Sequence, residues 1–144
     1  MHSYKVGGMS WVNGGLSSAQ TAYNYEVGAN SISTTYDAKI GLMYVSDYGF
    51  AALASDWTVR LFDYGYSTTV SDYWMYTGNW EWTISHPTDQ DESDFGFIVR
   101  SSGEIMTSYV HRNFIAVRPC FYLNYDVQYS SGIGTISDPI RLVV

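Results

Sequence analysis

Apolar positions in this chain come in short bursts cut by polar turns, with no long amphipathic repeat. Tyr4-Lys5-Val6 and Ser10-Trp11-Val12 read as short strands, and Asn13-Gly14 marks a tight turn. Residues 17–35 alternate too weakly to assign. Residues 39–45 form an apolar run of strand length. Ser46 then stands as an N-cap, with Asp47 in the first turn, ahead of a short helix over residues 48–54. Residues 55–73 read as an irregular, loop-rich insert.

Strand signals dominate from there on. Residues 80–85 predict a strand in which Trp80, Trp82 and Ile84 share one parity, so that face is expected to be buried. Residues 95–100 and 105–110 predict a hairpin around Ser101-Ser102-Gly103-Glu104. Residues 115–123 predict a further strand, with Pro119 marking an edge or bulge because it lacks a ladder donor. A Gly-rich turn at residues 131–134 precedes a closing strand. No fixed-period repeat or linker divides the chain. The pattern predicts one α+β domain over residues 1–144, with Gly/Ser-rich N-terminal strands in 1–36 and the core in 37–144.

Composition changes what the surface can be. Hydrophobic residues make up 46% and charged residues only 15%, so Tyr, Ser, Thr, Asn and Gly replace the usual Lys and Glu surface. Strands favour Tyr and Thr, which explains part of this bias. Binding loops favour the same mixture, because aromatic rings supply contact area at low entropic cost. The net charge is −7, and Lys5 and Lys39 are the only lysines. Phosphate backbones need clustered cations, so nucleic acid is a poor partner. No apolar run is long enough to span a bilayer, so no membrane insertion is expected.

Candidate chemistry is sparse. Asp89, Asp91, Glu92 and Asp94 form the densest acidic cluster and a weak Ca²⁺ candidate. An EF-hand loop starting at Asp89 would need Gly where Asp94 stands and Glu where Arg100 stands, so a metal-free, solvated loop is expected. His86 and His111 have no metal-site spacing. Cys120 is the only cysteine, so it forms no intrachain disulfide, and a buried strand position would raise its pKa rather than activate it. No cofactor is expected. Arg118 lies between Val117 and Pro119 in apolar sequence and needs a carboxylate or several carbonyls, which points to a structural role. The binding candidates are Ser101, Glu104, Met106, Ser108, Tyr109, His111 and Asn113 on the hairpin and its exit, with Asp72, Tyr73 and Tyr76 ahead of the Trp80 strand.

The run K-I-G-L-M-Y-V-S-D-Y-G-F at 39–50 is followed by Met75-Tyr76-Thr77-Gly78-Asn79-Trp80-Glu81-Trp82-Thr83-Ile84-Ser85, then Val117-Arg118-Pro119, then Gly132-Ile133-Gly134-Thr135-Ile136-Ser137-Asp138-Pro139. This order resembles bacterial and phage surface domains with a C-type-lectin-like scaffold, similar in layout to the formylglycine-generating-enzyme group. Some such domains follow a prepilin-type helix, and related scaffolds are the variable proteins of diversity-generating retroelements, including phage receptor-binding proteins. The resemblance covers residues 39–142. It implies a loop-rich antiparallel sheet with one or two short helices and a loop face that binds partners. Two departures stand out: no prepilin-type helix opens the sequence, and Cys120 replaces a small aliphatic residue. The cysteine pair of the formylglycine-generating enzymes is absent.

The resulting expectation is a secreted or cell-surface (or virion-tail) binding module, without catalytic activity, that engages a protein or glycan on a cell or host surface. The alternative is a structural subunit of a pilin-like filament or phage tail fibre, with Tyr-rich faces used for self-assembly. A thiol or metal-dependent enzyme is the third reading.

Overall fold

The structure, a computed structural model, describes residues 2–11, 16–28, 33–66, 70–88, 94–133 and 137–144. The chain is mixed α+β. In order come β1 (His2–Met9), α1 (Ala19–Glu26), β2 (Ser33–Ala38), α2 (Val45–Phe50), 3₁₀ turns at Ala54–Asp56, Leu61–Asp63 and Val70–Asp72, then β3 (Glu81–Trp82), β4 (His86–Pro87), β5 (Phe95–Val99), β6 (Ile105–Tyr109), β7 (Gln128–Ser131) and β8 (Arg141–Val143). Three small sheets form among the described residues, ordered β2-β1-β4, β3-β5-β6 and β7-β8. Pairing is antiparallel except between β1 and β4.

Helix α1 was not legible in the sequence. Ser18 caps it, accepting the Thr21 N–H at 3.4 Å. Its inward residues are Ala19, Ala22 and Glu26, so it carries no stripe of large apolar side chains. Small residues allow close approach instead: a Cβ on Gly49 of α2 would lie 2.6 Å from the Ala19 Cβ. Glu26 then reaches across and accepts the Val45 N–H at 2.9 Å and the Ser46 N–H at 3.1 Å. A carboxylate from α1 therefore caps α2.

That contact moves the predicted start of α2. The N-cap is Tyr44 rather than Ser46, Asp47 reaches back to accept the Tyr44 N–H at 2.9 Å, and the helix ends at Phe50. Ser46 is buried inside the first turn. The expected strand over 39–45 is reduced to one bridge, Gly41 with Cys120, closed by backbone bonds of 2.8 and 2.9 Å. The strand expected over 115–123 is likewise two isolated bridges, Ala116 to Glu81 and Cys120 to Gly41. Pro119 lies between them without an N–H to donate, so no continuous ladder forms.

The loop-rich reading of 55–73 holds, yet the insert is not peripheral. Leu61, Tyr64 and Tyr73 join Met9, Met43, Val45, Tyr48, Phe97 and Ile105 in the core. Tyr64 and Tyr73 rings pack 5.3 Å apart, and the Tyr73 hydroxyl donates to Asp56 at 3.1 Å.

The predicted hairpin is present, with Phe95 opposite Tyr109 and Ile98 opposite Met106. The tryptophan strand has the opposite burial to that expected. Glu81, Thr83 and Ser85 are buried, whereas Trp80, Trp82 and Ile84 are half-buried. Each inward polar group has a partner. Arg118 pairs with Glu81 at 2.7 Å, Thr83 donates to the Phe97 carbonyl at 2.9 Å, and Ser85 donates to Glu26. Trp82 lies over β5, where a Cβ on Gly96 would meet its ring at 2.9 Å.

Candidate functional site

Opposite residues in an antiparallel pair share a face. Trp82, Ile98 and Met106 align across β3, β5 and β6, as do Gly96 and Ser108. Ile98, Met106 and Ser108 of this face floor a groove of about 330 Å³. Trp80 and Phe114 form one wall, their rings 5.5 Å apart and edge-to-face. Phe95 and Tyr109 form the other, a cross-strand pair with centroids 4.1 Å apart. Two of the five arginines meet here. Arg100 lies 4.9 Å from the Trp80 ring and Arg112 5.8 Å from the Phe114 ring.

Three expected binding residues, Met106, Ser108 and Tyr109, line this groove. His111 continues its Tyr109 wall, with rings 5.2 Å apart, and Asn113 is exposed beside it. Ser101 and Tyr76 meet at the turn: the Tyr76 hydroxyl donates to the Ser101 carbonyl at 2.7 Å, and Trp80 Nε1 donates to the Ser101 hydroxyl at 3.0 Å. Asp72 is exposed at the end of the third 3₁₀ turn. Two expectations of exposure fail. Glu104 is 1% exposed and its carboxylate pairs with Arg100 at 2.7 Å, because a charge in the turn interior needs a counter-charge. Tyr73 is 2% exposed within the tyrosine cluster. Trp80, Phe95, Arg100, Arg112 and Phe114 are groove residues that sequence reasoning passed over. Period-two alternation marks only Trp80 and Arg100, which share parity with Trp82 and Ile98; Phe95 has the other parity, and Arg112 and Phe114 follow the end of β6.

The turn that carries the groove is held rigidly. Gly103 has φ +98°, and a Cβ there would meet the Val70 side chain at 2.3 Å. The insert thus packs against the hairpin tip and leaves no space for a side chain.

The other candidate chemistry resolves as follows. Arg118 meets its expected carboxylate, Glu81, with 28% of its side chain exposed. Glu81 also accepts from the Thr77 hydroxyl at 2.9 Å. Cys120 is half-buried and free; burial pushes its thiol up, with Arg118 pulling the other way. Asp89, Asp91 and Glu92 lie outside the described residues, as do Val12 and the Asn13-Gly14 turn, and Asp94 is exposed. Among the described residues, no group of three or more His, Cys, Asp or Glu is placed to hold a metal ion. No helix among them is long and apolar enough to cross a membrane.

Comparison with family models, curated proteins and solved structures finds no match to this chain.

Proposed function

We propose that this chain is a non-catalytic binding module that presents the outer groove of the β5–β6 hairpin to a protein or glycan at a cell, host or virion surface. The observation that carries this reading is the groove itself: paired aromatic walls, an apolar floor and two guanidiniums at one place on a chain with few cations. Aromatic and Arg side chains concentrate binding energy at interfaces, and Arg paired with aromatic faces suits partners with carboxylate or hydroxyl-rich surfaces. The C-type-lectin-like resemblance, read from sequence order, agrees with a display role for this face.

The test is a screen of labelled protein on an immobilised glycan array and against a displayed peptide library. A ligand retained by the wild type is expected to lose at least about tenfold in affinity with Tyr109→Ala/Arg112→Ala/Phe114→Ala, while the melting temperature changes little, since exposed substitutions move stability by about 0.5 kcal/mol. Equal binding by that variant, or no ligand from either screen, overturns the reading.

A second reading has its own support. The β7–β8 hairpin exposes Tyr129, Leu142 and Val143, an arrangement suited to self-assembly in a filament or tail fibre.

A further inference from the structure

A cleft of about 390 Å³ lies between β1, α2 and residues 120–122, apart from the hairpin groove. Buried Tyr4, Met43, Tyr44 and Met75 make its floor. Trp74, Phe121 and Tyr122 make its exposed rim, and Trp74 is 79% accessible. Tyr4 is held at the base: its ring packs over Gly41, its hydroxyl donates to the Cys120 carbonyl at 3.3 Å, and it lies 5.9 Å from Tyr122. Asp47 is the one carboxylate on the lining. It also lines an adjoining hollow of about 330 Å³, sharing it with Tyr44 and Tyr122.

We propose that this cleft binds a quaternary ammonium group of the choline type, held by aromatic faces with Asp47 as counter-ion. Six lining residues are aromatic, and none is Lys or Arg. Aromatic faces are negative and attract a cation within about 6 Å of the ring centre, most strongly where water is excluded. The carboxylate is oriented by the Tyr44 N–H, which donates to Oδ2 at 2.9 Å. Arg118 does not neutralise Asp47, because its guanidinium is paired with Glu81 at 2.7 Å. The charge balance therefore favours a cation and disfavours an anion.

The lining also selects the kind of cation. A primary ammonium carries three N–H donors that each require an acceptor once desolvated. Asp47 and the tyrosine hydroxyls offer acceptors at a few points, but the ring faces and methionines that make most of the lining offer none. A quaternary ammonium has no donors and needs only apolar faces and a compensating charge. Asp47 stays exposed to an incoming ligand, while partial desolvation raises its carboxyl above the ordinary range against the opposing bond from the Tyr44 N–H, and a neighbouring cation favours the charged form.

Calorimetric titration of the full chain with choline chloride tests this directly, with 3,3-dimethylbutan-1-ol as the uncharged isostere and n-butylammonium as the primary amine. Choline is expected to saturate one site with Kd in the millimolar range or tighter, and both comparison compounds to bind at least about tenfold more weakly. Trp74→Ala is expected to weaken choline about fivefold or more, with an unchanged melting temperature because the ring is exposed, while Tyr109→Ala in the hairpin groove leaves choline binding intact. Should Trp74→Ala unfold, Phe121→Ala replaces it with the same expectation. Absence of saturation up to about 10 mM choline, equal binding of the isostere or the primary amine, or full binding by the rim variant overturns the proposal.

Discussion

A carboxylate that caps a neighbouring helix from inside the protein loses its water, and Glu26 is in that position. Burial pushes its carboxyl from 4.5 up to about 7, although bonds from Ser46 and Ser85 oppose the shift. The folded chain therefore holds this proton more tightly than the unfolded chain does. Between about pH 4.5 and pH 7 the folded state binds more protons, so stability falls as pH rises, by about 3 kcal/mol across the window. The melting temperature is expected to be higher at pH 5 than at pH 8. Glu26→Gln is expected to remove most of that slope, leaving the smaller contribution of Asp47, which is shifted in the same direction. A variant with the wild-type pH profile contradicts the assignment. Arg118 shows the converse at this scale. Its need for a counter-charge was legible from its apolar neighbours, but its partner Glu81 was not, because 36 residues of chain separate them.

Among the elements, the β5–β6 hairpin was the most legible, since two runs of strand-forming residues flank a short Gly-containing turn. Its turn depends on an element far away in sequence. Gly103 occupies a left-handed conformation and sits against Val70, so Gly103→Ala meets both backbone strain and a steric clash. The expected loss is about 2 kcal/mol or more, read as a lower denaturant midpoint with an unchanged slope. Wild-type stability would show that the tip does not pack against the insert. Helix α1 illustrates the limit of pattern reading. Its buried face is two alanines and a glutamate, which no hydrophobic periodicity marks as interior.

At the scale of the whole molecule, the β7–β8 hairpin stands out because isolated two-stranded ribbons are only marginally stable in water. Tyr129 opposite Leu142 and Val143 opposite Gln128 put apolar surface on both sides of it. Self-association through this ribbon is expected, seen as a sedimentation coefficient that rises with protein concentration. Tyr129→Ser/Leu142→Ser is expected to restore a monomer without loss of the β5–β6 groove. A wild-type monomer at all concentrations would remove the filament reading and leave the binding reading standing.

Local pattern determined the α+β class, the hairpin, the presence of the second helix though with its start three residues late, and the cluster of Met106, Ser108 and Tyr109 as neighbours on one strand. These features depend on residues close in sequence, whose spacing alone decides which side chains share a face. Only the tertiary structure decided that Glu81, Thr83 and Ser85 face inward while Trp80 lines the groove and Trp82 covers Gly96, that Glu26 caps α2, and that Tyr73 and Glu104 are buried. Except for Glu104, whose partner Arg100 is only four residues away, each interior polar group has its partner far along the chain. Burial of such a group follows from the partner's position, which spacing along the chain does not encode.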